Sequence, residues 1–280
     1  MKLLYPLAKR FIAGHSFDSA KPKIQSLLDE GYEVSVDYLG ELSKTSDDCK
    51  KAKLQYVDII NFYTTQKIDI SIKPSQLGLL INPFISYKNV SFLAQLAKIR
   101  GHTIRLDMED SRVTALTRNL AISLNKKYGN VGVAIQANLH RTNEDLKILM
   151  DSGVSVRLVK GAYAESSMIA HQSEEDIEFC FFDYAAKLKS NRANKPAIAT
   201  HDEGLLGDIL ETIPSPQYFD YEFLYGIRRD IQRKMRDEGF KVRVYVPFGT
   251  DWLPYTIRRL NEWKNLKFVI KNIFYEIFKR

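Results

Sequence analysis

Arg157-Leu158-Val159-Lys160-Gly161-Ala162-Tyr163 places a guanidinium inside an apolar run and closes that run with an ammonium, a glycine and an aromatic ring. Ser155 to Val159 has the composition of a buried strand, and Gly161 that of a tight turn. A buried arginine needs a carboxylate, a phosphate or a cofactor beside it, because an unpaired charge out of water is costly. Other short apolar runs also end in reactive side chains: Asp37 and Glu41, Lys73, Asp107, Gln136, Thr200 and His201, Glu222, and Tyr245. The cations Lys73, Arg157, Lys160, Arg258 and Arg259 favour an anionic substrate or cofactor. The histidines His15, His102, His140, His171 and His201 are dispersed, and no H-E-x-x-H spacing occurs, so no metal is expected. G-x-S-x-G and G-x-G-x-x-G are absent as well, which removes the nucleophile elbow and the Rossmann fingerprint.

Bringing these residues to one rim requires strands that all point the same way. Strand-like runs occur at 34–39, 70–73, 103–107, 131–136, 155–159, 196–201, 219–224 and 242–246. Helical stretches precede and separate them. Lys21 to Glu30 is stopped by Gly31. Ser46-Asp47-Asp48 caps a helix with Leu54, Val57 and Ile60 on one stripe. Further helices cover Asn89 to Ile99, Asp110 to Lys127, and Thr142 to about Gly153. After Ser173, the positions Ile177, Cys180, Phe181, Tyr184 and Leu188 keep a 3–4 spacing. A helix with Ile227, Ile231 and Met235 ends at Gly239, and Asp251-Trp252-Leu253-Pro254 opens the last. Eight strand–helix units predict an α/β fold, a (βα)8 TIM barrel over residues 32–280, after a short helical segment at 1–31, in one domain spanning 1–280. Such barrels carry their chemistry at the carboxyl ends of the strands.

With 280 residues, 45% hydrophobic and 27% charged, the chain has material for an ordinary core. The net charge of +7 is spread without a long basic run, so a basic surface or anionic ligands are expected, and no nucleic acid. Cys49 and Cys180 stand alone, which suits a reducing compartment, and Cys180 reads as a small core residue. The N-terminus lacks an apolar h-region and no run approaches the roughly 20 apolar residues of a membrane span, so a cytoplasmic location is expected. Leu266 to Arg280 is apolar with interspersed basic residues. It suits a helix sealing the barrel or a peripheral contact with the inner face of the cell membrane.

Seven ordered pieces resemble the proline dehydrogenase family. Ser71-Ile72-Lys73, Arg105-Leu106-Asp107, Arg157 to Tyr163, Ala199-Thr200-His201 and Leu224-Tyr225-Gly226 come first. Arg243 to Gly249 and Tyr255 to Glu262 follow. The resemblance implies a distorted (βα)8 barrel that oxidises L-proline to Δ1-pyrroline-5-carboxylate with FAD and passes electrons to a membrane quinone. It assigns Lys73, Arg258 and Arg259 to the proline carboxylate. Tyr245, Tyr255, Leu224 and Ala162 would line the substrate pocket, and Arg157, Asp107 and Tyr245 would act in catalysis. Gln136, Arg157, Val159, Lys160, Gly161, Ala162, Thr200, His201 and Glu222 would contact the flavin. Glu262 would steady the arginines, and Glu41 would be the gate acid for Arg258.

In one place the chain departs from the family pattern: Glu222 stands where the family usually has glutamine. A carboxylate there must find a donor or shift the flavin potential by its charge. Two other readings remain open on the residues. A different flavin barrel, of the methylenetetrahydrofolate reductase type, would share fold and cofactor. A non-enzymatic anion or nucleic-acid binder would explain the charge but not the strand-end residues.

Overall fold

The computed structural model describes residues 8–190, 194–213, 216 and 218–262, with 260–262 described through their backbone alone. Eight parallel strands close into a barrel: β1 (Glu33–Tyr38), β2 (Asp69–Ile72), β3 (Thr103–Leu106), β4 (Val131–Gln136), β5 (Val156–Val159), β6 (Ala197–Ala199), β7 (Asp220–Leu224) and β8 (Lys241–Phe248). They pair in chain order, and β8 returns to β1 with Ser35 opposite Tyr245. Helix α1 (Phe17–Asp29) precedes the barrel. A helix follows each strand: α2 (Ser46–Phe62), α3 (Pro83–Arg100), α4 (Ser111–Tyr128), α5 (Thr142–Asp151), α6 (Glu174–Lys189), α7 (Glu203–Thr212), α8 (Arg229–Asp237) and α9 (Trp252–Glu262). This is the TIM barrel with a leading helical segment that the alternating pattern predicts.

Local chemistry sets the helix starts. Ser16 and Thr45 each close a capping box, so α1 begins at Phe17, four residues before the expected start. Asn82 caps α3 with Pro83 in its first turn, which moves that start six residues ahead of Asn89. The buried face of α2 is only partly the expected one. Ile60 is buried as expected and Val57 half-buried, but Leu54 is 49% exposed, and Cys49, Ala52, Tyr56 and Ile59 complete the buried face. Tyr56 tolerates burial because its hydroxyl donates to Gln76 Oε1 at 2.7 Å. Cys180, expected in the core, is half-buried, and Cys49 is the buried cysteine.

Successive strand residues face opposite sides of a sheet. The outward set, including Val34, Val36, Ile70, Ile72, Ile104, Leu106, Val244 and Val246, packs under the helices and forms the main apolar core. On six of the strands the inward side chains include polar ones: Ser35 and Asp37 on β1, Asp69 and Ser71 on β2, Arg105 on β3, Arg157 on β5, Asp220 and Glu222 on β7, and Arg243 and Tyr245 on β8. The small Ala134 of β4 and Ala197 of β6 share the register of Arg157 and leave it room. The barrel interior is therefore an ion network wrapped in an apolar annulus. A second apolar cluster joins Phe11, Ile12, Leu39, Ile227, Trp252 and Tyr255. It fastens α9 against the exits of β1 and β7. No helix of the described residues is long and apolar enough to cross a membrane.

Candidate active site

The interior network is layered. At the amino-terminal level, Arg105 Nε donates to Asp69 Oδ2 at 3.0 Å, and Arg243 donates to Asp220 Oδ2 at 2.8 Å. Arg157 occupies the middle. Its Nε donates to Glu222 Oε2 and one terminal nitrogen to Asp107 Oδ1, both at 2.7 Å. The other reaches the Ser71 and Ser35 hydroxyls at 3.0 and 3.2 Å. The partners that a buried arginine requires are thus supplied by the protein itself. Burial opposes the charge on Arg157, but Glu222, Asp107 and Asp69 outweigh it and raise the pKa, so the guanidinium stays protonated.

The layer nearest the mouth holds Lys73, Asp37, Asp107 and Tyr245. The Lys73 ammonium donates to Asp37 Oδ1 at 2.8 Å and lies 3.5 Å from both Asp107 Oδ2 and the Tyr245 hydroxyl. Tyr245 donates to Asp107 Oδ2 at 2.7 Å, and its ring lies 5.3 Å from the Arg157 guanidinium carbon. Burial, then the Asp107 charge, pushes the Tyr245 phenol well above its ordinary range, so it remains a donor. Burial likewise raises Asp37, against the pull of Lys73.

Loops fix the rim. The Leu42 N–H donates to Ser75 Oγ at 3.0 Å and the Ser43 hydroxyl to the Gln76 carbonyl at 2.7 Å. These bonds hold the exit of β1, with Glu41, to the 3-10 turn Pro74–Leu77. Glu41 Oε1 accepts from Arg258 at 2.8 Å. The Arg258 pKa lies above its ordinary value: burial opposes the charge, and Glu41, Tyr163 and Tyr245 favour it. Arg259 stands over the Tyr255 ring at 5.4 Å. It is also near enough to His201 that burial, with Arg259 and Arg228, pushes that imidazole down to about 3. His201 is neutral, and its Nε2 accepts the Leu224 N–H at 2.9 Å. Both arginines therefore sit at the mouth, on the helix that the second apolar cluster anchors.

On the β4–β6 side, buried Gln136 donates to the Glu109 carbonyl at 3.0 Å. Lys160 bonds Glu178 at 2.8 Å and Asp202 at 2.6 Å, which leaves one of its three ammonium hydrogens for a ligand. Thr200 is buried and its Oγ1 accepts the Asp202 N–H at 3.2 Å. Val159 and Leu224 are half-buried, Tyr255 is buried, and Ala162 is exposed. Gly161 has φ +119°, and a Cβ there would stand 2.2 Å from Asn138 Oδ1. Gly161→Ala is expected to cost about 1–3 kcal/mol in backbone strain and clash. The measurement is the urea midpoint of the purified protein, and an unchanged midpoint refutes the close approach. The Glu262 side chain and Leu266 to Arg280 lie outside the described residues.

A flavin fits this chemistry. Three buried acceptors that line the interior and its exit have no donor among the described residues: Asp37 Oδ2, Glu222 Oε1 and Asn138 Oδ1. Such atoms suit a ligand that carries N–H groups. The cations Arg157 and Lys160 and the open backbone at Gly161 suit its anionic portions. Asp37 stood among the strand-end residues, but it acquires a role only here, as the partner of Lys73. Ser35, Asp69 and Asp220 were given no role, and Ser71, Arg105 and Arg243 stood only within the family-like pieces. Their signal was present, as polar residues at every second position of Ser35–Asp37, Asp69–Lys73, Arg105–Asp107, Asp220–Glu222 and Arg243–Tyr245.

A sequence model of the proline dehydrogenase family matches residues 20–271. The chain is 31% identical to proline dehydrogenase 1 of Bacillus subtilis subsp. natto over 274 residues, 95% of this chain and 90% of that protein. It is 31% identical to proline dehydrogenase of Deinococcus radiodurans over 283 residues, 96% of this chain and 91% of that protein. Among solved structures, proline utilization A from Bdellovibrio bacteriovorus superposes with a TM-score of 0.87 at 22% identity. The match covers 95% of this chain and 33% of that one, and it shows the barrel fold. The chain belongs to the proline dehydrogenase family.

Proposed function

We propose that the protein oxidises L-proline to Δ1-pyrroline-5-carboxylate with FAD, and that the electrons pass on to a quinone. The observation that carries this reading is the position of Arg258 and Arg259. They stand at the mouth of a barrel whose top layer is Lys73, Asp37, Asp107 and Tyr245. Two guanidinium forks suit one carboxylate. Proline is bound with its carboxylate on these arginines and the Lys73 ammonium, and its ring on Tyr245, Tyr255, Leu224 and Ala162. Clamping one end of a small rigid ring fixes the other end, so C5 is held in a single orientation.

Bound flavin would supply the two-electron acceptor for a hydride from C5, the lone pair of the neutral amine forming the C=N bond of a protonated imine. Gln136, Lys160, Thr200, His201 and the backbone from Val159 to Ala162 would hold it. Arg157 supplies positive charge to the acceptor side, and Asp107 and Glu222 keep its guanidinium in place. Tyr245 and Asp107 form the polar wall beneath the substrate. The Glu41–Arg258 pair can close the mouth and exclude water. The test is dichlorophenolindophenol reduction by purified, flavin-loaded protein. Dye bleaching on addition of L-proline is expected, with loss of the flavin absorbance band when no dye is present. A flavin-loaded preparation that leaves both unchanged overturns the reading.

A further inference from the structure

The charge on Arg157 is divided among several acids. Glu222 Oε2 and Asp107 Oδ1 each accept from it at 2.7 Å, and Asp69 Oδ2 lies 3.6 Å away. The interior layers hold four cations: Lys73, Arg105, Arg157 and Arg243. They face five carboxyl groups: Asp37, Asp69, Asp107, Asp220 and Glu222. The shortest ion pairs of Lys73, Arg105 and Arg243 go to Asp37, Asp69 and Asp220, at 2.8, 3.0 and 2.8 Å. Arg157 is left to serve both Asp107 and Glu222. Glu222 is 3% exposed, and its Oε1 has no donor among the described residues. A neutral glutamine at 222, the residue the family usually carries, would bring cations and acids level.

We infer that Glu222 sets the reduction potential of the flavin in this chain and holds it below the value that a glutamine would give. The carboxylate has found a donor and still acts by its charge, because the guanidinium it uses is already paired with Asp107. Reduction brings electrons to the flavin, and an acid that halves the positive charge available from Arg157 opposes their arrival. Little water reaches the barrel centre to screen that effect. Glu222 thus acts through Arg157, as a positioning residue for its charge. A lower potential makes the reduced flavin a stronger donor to its acceptor and its reduction by proline less complete. The inference rests on the flavin of the reading above and not on the identity of the substrate. A mere brace for Arg157 would behave differently. Glutamine keeps a carbonyl oxygen for the Arg157 N–H, so a brace predicts an unchanged potential.

The experiment is reductive titration of the full-length, flavin-loaded protein in equilibrium with a reference dye of known potential, with the absorbances of flavin and dye read together. Glu222→Gln is expected to raise the ratio of reduced to oxidised flavin by about tenfold at a fixed dye potential. That is a midpoint shift of about 30 mV for a two-electron couple. Asp220→Asn removes the same charge roughly 7 Å nearer the amino-terminal end of the barrel, where Arg243 pairs with it. A smaller rise is expected there. An unchanged or lowered midpoint in Glu222→Gln overturns the inference, and so does an equal rise in Asp220→Asn. Loss of flavin from Glu222→Gln overturns it too, by making the residue a determinant of cofactor binding. Wild-type flavoprotein that L-proline fails to bleach would count against proline oxidation and leave the dye-titrated potentials standing. A wild-type protein that takes up no flavin would refute both.

Discussion

Arg157→Met is expected to lower stability by about 3–5 kcal/mol, the cost of stranding buried charges. The guanidinium holds Glu222 and Asp107 at 2.7 Å each and lies 3.6 Å from Asp69. Methionine fills much of the volume but neutralises none of the three. Their mutual repulsion then acts across the barrel centre, where little water can screen it. The check is a urea melt followed by circular dichroism, with the flavin content of the purified protein measured in parallel. A stable, flavin-free variant would limit the residue to the cofactor. A stable, flavin-loaded variant would refute the role given to it here. Glu222→Gln is the informative companion, because it removes one negative charge while keeping an oxygen for the Arg157 N–H. Arg157→Met with Glu222→Gln should then lose less than the two single changes added together, since the residues share one interaction.

Arg259→Ala is expected to raise the KM for L-proline by roughly tenfold to a hundredfold, the worth of a hydrogen bond to a charged group. Flavin absorbance should persist, because Arg259 stands over the Tyr255 ring and acts on His201 only through its charge, while His201 Nε2 keeps its bond from the Leu224 N–H. Arg259→Lys should recover only part of the loss, since an ammonium cannot present a planar fork to the carboxylate. Arg258→Ala carries a second consequence, because it removes the 2.8 Å partner of Glu41 at the rim. Steady-state kinetics with L-proline measures both. A KM that neither substitution moves would place the carboxylate elsewhere.

The readable part of this site was the set of strand ends. Asp107, Glu222 and Tyr245 could be picked out because a polar residue closing an apolar run must face either the rim or the interior, and Arg157 because a charge inside such a run needs a partner. Which of the two it faces was hidden. The family resemblance alone gave Lys73 to the substrate carboxylate. In the folded chain its shortest contact is with Asp37 at 2.8 Å, 36 residues away in sequence. Lys160 similarly bonds Glu178 and Asp202, which lie on elements that no local pattern connects to β5.

Strand number, order and direction follow from local rules: apolar runs of four to eight residues alternate with capped amphipathic stretches, and eight such units close on themselves. Those rules act within a few residues, so they can be read along the chain. The face that α2 buries, the pairing of ten interior side chains and the docking of α9 over the mouth obey no such rule. Each depends on distances between residues that are remote in sequence, and on which charges the closed barrel can neutralise once water is gone. That balance exists only after the chain has folded.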